Sequence, residues 1–291
     1  MSTTEINPDN PPDNSAACCA AFYEQDWVAT LLADSFHPGG PAMSERLLDG
    51  LELPEGCTVV DIACGTGTTA LELARRGHPV IAIDFSQKNL ARLTARALEA
   101  GLEDRIQTVQ ADAASLPLED NTATVVLAEC ALSTFADKPK SVAEIARVLE
   151  PGGLVGITDM VLNAPLPASL ASVIGPWACL QDAMTVPGYQ RLFLDAGLRA
   201  TAYVDESEGL YSMARELKRK LVVVGLGKMA GALGEMNLDI ASTRALLEQS
   251  TALVDAGVVE YARMTFALGI PKRADAKVAA EPCCEQPSSC C

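Results

Sequence analysis

The sequence predicts an α/β fold, doubly wound around a mostly parallel sheet of seven strands, and three observations carry that expectation. From residue 58 onward, short β-branched apolar runs alternate with stretches whose apolar residues recur at helical spacing. A glycine-rich turn, Gly65-x-Gly67, joins the first such run to the helix behind it. The chain has 291 residues, of which 49% are hydrophobic, enough to bury a sizeable core. Strands that alternate with helices at this interval build parallel sheets with right-handed crossovers.

Residues 58–63 (TVVDIA) read as the first strand and 67–76 (GTTALELARR) as its helix. PVIAIDF at 79–85 is a second buried strand, SQKNLARLTARALEAG at 86–101 a long helix, and RIQTVQAD at 105–112 a third strand. ATVVLAEC at 123–130 gives a fourth strand, KSVAEIARVLEPGG at 140–153 a helix stopped by Pro-Gly-Gly, and LVGITDM at 154–160 a fifth strand. Beyond it, 187–198 is a helix, 199–206 a sixth strand, 207–257 largely helical with two glycine interruptions, and 258–269 a last strand. The expected organisation is a disordered N-terminus (1–17), an N-terminal helical lid (18–55), a Rossmann-like core (56–206), a helical insertion with the last strand (207–271) and a flexible cysteine-rich tail (272–291).

Composition removes several classes of partner. The formal charge is −16 and the pI about 4.5. At this net charge nucleic acid is not expected, because affinity for a phosphate backbone comes largely from basic side chains. No run approaches the roughly 20 apolar residues of a membrane span. Residues 1–17 have neither a basic start nor an apolar stretch, so a reducing cytoplasm is the expected location. Ten cysteines there read as thiols for metal, metalloid or redox chemistry rather than as a disulfide framework. Six of them form adjacent pairs, Cys18-Cys19, Cys283-Cys284 and Cys290-Cys291.

The loop from Asp61 to Gly67 leaves a strand and opens a helix, where glycines let backbone approach a ligand at the positive helix end. Gly65-x-Gly67-x-x-Ala70 satisfies the dinucleotide fingerprint, and Asp84, seventeen residues after Gly67, stands where ribose hydroxyls need an acceptor. The glycines alone do not choose between NAD and another adenosine cofactor. Three further features do: Asp61 four residues before Gly65, Ala111-Asp112-Ala113 ending the third strand, and Arg147-Val148-Leu149-Glu150-Pro151-Gly152-Gly153 ahead of the fifth. Together, over about residues 56–160, these resemble class I S-adenosylmethionine-dependent methyltransferases. The resemblance implies S-adenosylmethionine as cofactor, with Asp61 toward its methionine end, Gly65 and Gly67 against its backbone, Asp84 at the ribose and Asp112 at the adenine amine. Ala63 stands where the family usually has glycine, and Phe85, Ala113 and Glu129 complete the set. The local alternatives are a helix-capping role for Asp84 with Ser86 and a turn role for Asp112.

Transfer of a methyl group from a sulfonium is an in-line displacement, so holding the nucleophile matters more than acid or base groups. The two histidines are His78, read as a solvated residue behind a helix, and His37, ahead of the sheet in the segment that covers the cofactor pocket in this fold. Soft thiolates select soft metalloids, and a thiolate-held trivalent metalloid keeps a lone pair that can attack without a base. Glu129-Cys130 through Asp137-Lys138, then Glu144 to Leu149, resembles the arsenite methyltransferase family, as do Trp177-Ala178-Cys179-Leu180-Gln181-Asp182-Ala183 and Ser15-Ala16-Ala17-Cys18-Cys19. A cysteine that this family carries just after the glycine loop is Ala70 here, and its cysteine beyond the sixth strand has no clear counterpart.

The resemblance implies Cys179 and Cys130 as the reacting thiols and Cys18 and Cys19 as substrate-binding candidates; His37 is a further candidate by its place ahead of the sheet, with a histidine bonding to its own turn as the alternative. Cys283, Cys284, Cys290 and Cys291, on a tail expected to be mobile, read as a thiol clamp for metalloid capture, with a metal-sequestering tail as the alternative, and Cys57 and Cys64 read as structural. The expected activity is methyl transfer to thiol-bound arsenite, with glutathione or thioredoxin as reductant. A small organic acceptor, or non-catalytic metalloid binding on the same scaffold, are the alternatives.

Overall fold

A computed structural model describes residues 37–167, 170, 180, 182–229 and 240–269. Cys18, Cys19, Cys179, Cys283, Cys284, Cys290 and Cys291 lie outside the described residues. Helix α1 (Gly40–Leu51) leads into β1 (Val59–Ile62), α2 (Thr68–Arg75), β2 (Val80–Asp84), α3 (Gln87–Ala100), β3 (Ile106–Gln110) and β4 (Ala123–Glu129). There follow α4 (Lys138–Val148), β5 (Leu149–Leu162), α5 (Val186–Asp195), β6 (Leu198–Asp205), α6 (Glu208–Met229), α7 (Ile240–Asp255) and β7 (Val259–Leu268).

The seven strands form one sheet in the order β3-β2-β1-β4-β5-β7-β6. The first five neighbours pair in parallel and β7 runs antiparallel between β5 and β6, as the sequence predicts for a mostly parallel Rossmann-like sheet. Alternation along the strands sends side chains to two cores. Val60, Ile62, Val126 and Ile157 meet α4 and α5 through Val142, Ile145, Tyr189 and Phe193. Val59, Val80, Ala82 and Val125 meet α1, α2 and α3 through Leu47, Leu71, Leu93 and their neighbours. A third apolar cluster lies beyond the β4 and β5 carboxyl ends and includes Met43, Met160, Leu180, Leu210 and Tyr261. Among the described residues no helix is long and apolar enough to cross a membrane.

Two local expectations are corrected. The helix expected over 140–153 ends at Val148, and β5 begins at Leu149, paired with Ala123. Pro151 disfavours helical geometry at Glu150. Gly152, at φ 84°, turns the chain through a register shift that lets Leu154 pair with Val125. His78 is not a solvated helix-end residue: it is 5% exposed. Gly77, at φ 95°, tucks it under the start of β1, with Nδ1 3.3 Å from the Cys57 carbonyl oxygen and 3.5 Å from Cys57 Sγ.

Candidate active site

The strand order reverses between β1 and β4, and in open α/β sheets ligands bind outside the carboxyl ends of the strands at such a switch point. Asp61 lies there, 3% exposed, and its Oδ2 has no hydrogen-bond partner. Burial first, then the charges of Glu129 and Asp84, push its carboxyl well above the usual carboxylate range. An unsatisfied carboxylate oxygen within the field of two further acids is complementary to a buried cation, since a buried charge is tolerated only when paired.

Immediately after β1 the loop turns left-handed at Ala63 (φ 57°), Gly65 (φ 55°) and Gly67 (φ 80°). A side chain at Gly67 would place its Cβ 2.1 Å from Leu93 Cδ1 of α3, so only glycine lets α2 and α3 pack this closely. Ala63 holds the same handedness with a methyl group, at a cost of about 1 kcal/mol. Helix α2 starts at Thr68 without a side-chain cap, leaving its first N–H groups to another acceptor.

Asp84, 8% exposed, braces this loop from β2. Its Oδ2 accepts the Gly65 N–H at 2.8 Å and its Oδ1 the Ser86 N–H at 2.7 Å, while Ser86 Oγ caps α3 by accepting the Asn89 N–H at 3.1 Å. The local role considered for Asp84 is therefore present beside the loop contact. Asp112 likewise accepts the Ala114 N–H at 2.8 Å in its turn. Asp112 is exposed and Ala113 buried, and Phe85 presents a 57% exposed ring at the end of β2.

Across the switch point, Glu129 is only 7% exposed. It accepts hydrogen bonds from Ser44 Oγ of α1 at 3.0 Å and from Thr69 Oγ1 of α2. His37 lies against it, Nε2 3.7 Å from Glu129 Oε2 and 3.3 Å from Ser44 Oγ, with Nδ1 3.3 Å from the Pro38 carbonyl oxygen. Both ring nitrogens thus address protein groups, and the imidazole acts as a cover over Glu129.

Cys130 follows at φ 51°, a left-handed conformation that cysteine rarely adopts. Its N–H donates to the Thr158 carbonyl at 2.7 Å, and its side chain packs against the third apolar cluster. Tyr261, fully buried, donates its hydroxyl to Thr158 Oγ1 at 2.8 Å. Asp159 holds the chain that follows Cys130 by accepting the Ser133 and Met160 N–H groups at 2.8 and 2.7 Å. Burial pushes its carboxyl up to about 6, against the lowering effect of those hydrogen bonds and of Lys138.

One sheet edge therefore gathers Asp61, Ala63, Gly65, Gly67, Asp84, Phe85, Asp112, Ala113, Glu129, Cys130 and, from the preceding segment, His37. The sequence reading missed Ser44, Thr69, Thr158, Asp159 and Tyr261. A signal was present for some: Ser44 interrupts the apolar stripe of Met43, Leu47, Leu48 and Leu51, and Asp159 is the one acid in an otherwise apolar strand run. Among the described residues no three His, Cys, Asp or Glu side chains converge to hold a metal ion.

Comparison with known proteins agrees with this geometry. A family model described as a methyltransferase domain matches residues 60–157. Methyltransferase GfsG of Streptomyces halstedii is 31% identical over 186 residues, which cover 62% of this chain and 67% of the relative. The chain belongs to the class I S-adenosylmethionine-dependent methyltransferases. The 27-O-demethylrifamycin SV methyltransferase of Amycolatopsis mediterranei is 35% identical over 57% of this chain and 62% of its own length. A putative sarcosine dimethylglycine methyltransferase from Galdieria sulphuraria shares the fold, with a TM-score of 0.71 at 21% identity over 88% of this chain and 98% of that one. Phosphoethanolamine N-methyltransferase 2 of Haemonchus contortus, solved with S-adenosyl-L-methionine, superposes with a TM-score of 0.74 at 16% identity over 90% and 62% of the two chains.

The methyltransferase's cofactor is S-adenosylmethionine, and the residues present fit it. The unpartnered Asp61 oxygen, with Glu129 and Asp84 acting on it, suits the ammonium group of its methionine end, and the left-handed turns at Ala63, Gly65 and Gly67 bring the loop backbone round beside it.

Proposed function

We propose that this methyltransferase acts on a soft metalloid, arsenite held by thiolates being the acceptor its chemistry suits best. The observation that carries the proposal is the position of Cys130, strained into a left-handed conformation directly after Glu129 at the carboxyl end of β4. A thiol there stands beside the methionine end of the cofactor, and strained backbone is retained where surrounding structure enforces it. The segments around Cys18-Cys19, Cys130 and Cys179 that resemble arsenite methyltransferases support the same reading.

In this reading Asp61 binds the cofactor ammonium, Asp84 the ribose, Phe85 and Ala113 the adenine faces and Asp112 its amine. Gly65 and Gly67 admit the backbone contact that Ala63 prepares. Glu129, covered by His37, keeps the ammonium site dry. Bound S-adenosylmethionine supplies an electrophilic methyl group and leaves as S-adenosylhomocysteine. The arsenic lone pair forms the new As–C bond, arsenic is formally oxidised by two electrons, and glutathione or thioredoxin thiols return it to the trivalent state. Cys130 and Cys179 serve to hold arsenic so that its lone pair lies in line.

A second reading, a small organic acceptor, draws on the apolar surroundings of Cys130, where Met43, Met160, Leu210 and Tyr261 gather. It also draws on the relative named for demethylrifamycin. Incubation with labelled S-adenosylmethionine, glutathione and arsenite, followed by arsenic speciation, separates the two. Methylated arsenic supports the metalloid reading. Its absence, together with turnover on a demethylmenaquinol or other phenolic acceptor, moves the assignment to the organic class.

A further inference from the structure

We propose that Gly209, in the first turn of α6, is a positioning residue for the cofactor site, acting through His37. A Cβ at Gly209 would lie 3.1 Å from the Gly39 nitrogen, 3.2 Å from the Pro38 carbonyl carbon and 3.4 Å from Gly39 Cα. All three are backbone atoms, so no side chain can swing aside to make room. The helix therefore rests directly on the turn before α1, a turn closed by the Gly40 N–H donating to the His37 carbonyl at 3.2 Å.

The seat is clamped from both sides. Glu206, three residues ahead of Gly209, is paired with Arg46 of α1 at 3.1 Å and with Arg263 of β7 at 3.0 Å. Neither α1 nor the start of α6 can slide freely, so added bulk at Gly209 is taken up by the turn between them. That turn carries His37, whose imidazole covers Glu129. Lifting the imidazole admits water beside Glu129 and Asp61. Their attraction for a cationic group weakens as the local dielectric rises.

Helix propensity sets an opposing sign that makes the proposal testable. Alanine is the better helix former, so Gly209→Ala favours α6 locally. S-adenosylmethionine affinity is measured by calorimetry, and melting temperature on the same preparations, for Gly209→Ala, His37→Gln and the double variant. Each single variant should weaken binding about three- to tenfold, and the double variant no further than the weaker single, because both act through one contact. The Gly209→Ala protein should stay folded, its melting temperature within a few degrees of the parent's, the strain at the turn being offset in part by helix propensity. Unchanged affinity in Gly209→Ala, or losses that multiply in the double variant, overturns the proposal. So does loss of folding in Gly209→Ala, which would make the glycine a requirement of the fold. The Glu206→Gln variant gives a further check: with the clamp loosened, Gly209→Ala should cost less affinity than in the parent. The proposal rests on the cofactor alone and is independent of which acceptor is methylated.

Discussion

Asp61 carries a conflict between stability and function within one side chain. Its carboxyl titrates above its unfolded value because of burial and then of Glu129 and Asp84. As pH rises, the unfolded chain therefore loses this proton first. The protein loses stability from about pH 4 up to the folded pKa, and at neutral pH the loss persists. Asp61→Asn escapes that penalty. Without added cofactor, its melting temperature at pH 7.5 should exceed that of the parent by a few degrees, about 1–2 kcal/mol, because a neutral amide replaces a buried carboxylate that faces two like charges. Its affinity for S-adenosylmethionine should fall at least tenfold, since the carboxylate that meets the ammonium is gone, on the scale of roughly 1.5–3 kcal/mol for a charge-assisted hydrogen bond. A lower melting temperature or unchanged affinity contradicts this assignment. The same titration makes cofactor binding expel a proton at any pH where free Asp61 is still protonated, seen as a calorimetric enthalpy that varies with the ionisation enthalpy of the buffer. Asp61, Gly65, Gly67 and Asp84 were legible in the sequence because they lie at motif spacing, close along the chain. Ser44 and Thr69 were not, because their partner Glu129 is 85 and 60 residues away and only the fold brings them together.

Between elements, the contact of the glycine loop with α3 is the joint that the cofactor site can least afford to change. Gly67→Ala forces a Cβ into Leu93 and an unfavourable φ of 80° onto alanine. It should destabilise the protein by about 2–4 kcal/mol, combining overpacking with left-handed strain. Adding Leu93→Ala removes the collision but not the strain. The double variant should thus be more stable than the sum of the two losses, as a denaturation cycle would show. Strictly additive losses would mean that the two side chains do not meet. A second effect belongs to β5: Asp159, held at about 6 by burial, favours the protonated form in the folded state. Its contribution to stability declines as pH rises from about 4 to 6, by on the order of 3 kcal/mol. Asp159→Asn should flatten that part of the stability profile, and an unchanged profile would remove the titration from this residue. Element order was readable because each strand and helix has its own apolar period. The α4–β5 boundary was not, because Pro151-Gly152-Gly153 marks the end of a helix in sequence while in space it forms a bulge inside a strand.

Over the whole molecule, the cofactor half of the site is built by the sheet, whereas in the proposed metalloid reading the acceptor half draws on sulfur from distant parts of the chain. Cys130 is the member of that set within the described sheet edge, and seven other cysteines lie outside the described residues. No period links such scattered thiols, so the joint role proposed for them was open to resemblance and not to pattern. The metalloid reading divides them by function. Cys179 is assigned to the reacting site, while Cys283, Cys284, Cys290 and Cys291 are assigned to capture. A serine hydroxyl is hard and largely protonated, so it cannot replace a thiolate toward arsenic. Losing one of about three sulfur ligands misplaces the lone pair, and an error near 1 Å costs about a hundredfold. Cys179→Ser should accordingly abolish arsenite methylation while S-adenosylmethionine binding, measured by calorimetry, stays within about twofold, because calorimetry reads the sheet's own contacts. Truncation after Ala280 should behave differently. Tethered thiols act by raising the local concentration of what they bind. The truncated enzyme should thus need more arsenite for half-maximal rate, yet reach a saturated rate within a few fold of the full chain. The two variants form one experiment on arsenite titrations with a shared control. Full arsenite turnover by Cys179→Ser would remove Cys179 from the reacting site and leave the metalloid to other thiols. A truncated enzyme silent at every arsenite concentration would place tail sulfur in the reacting site itself.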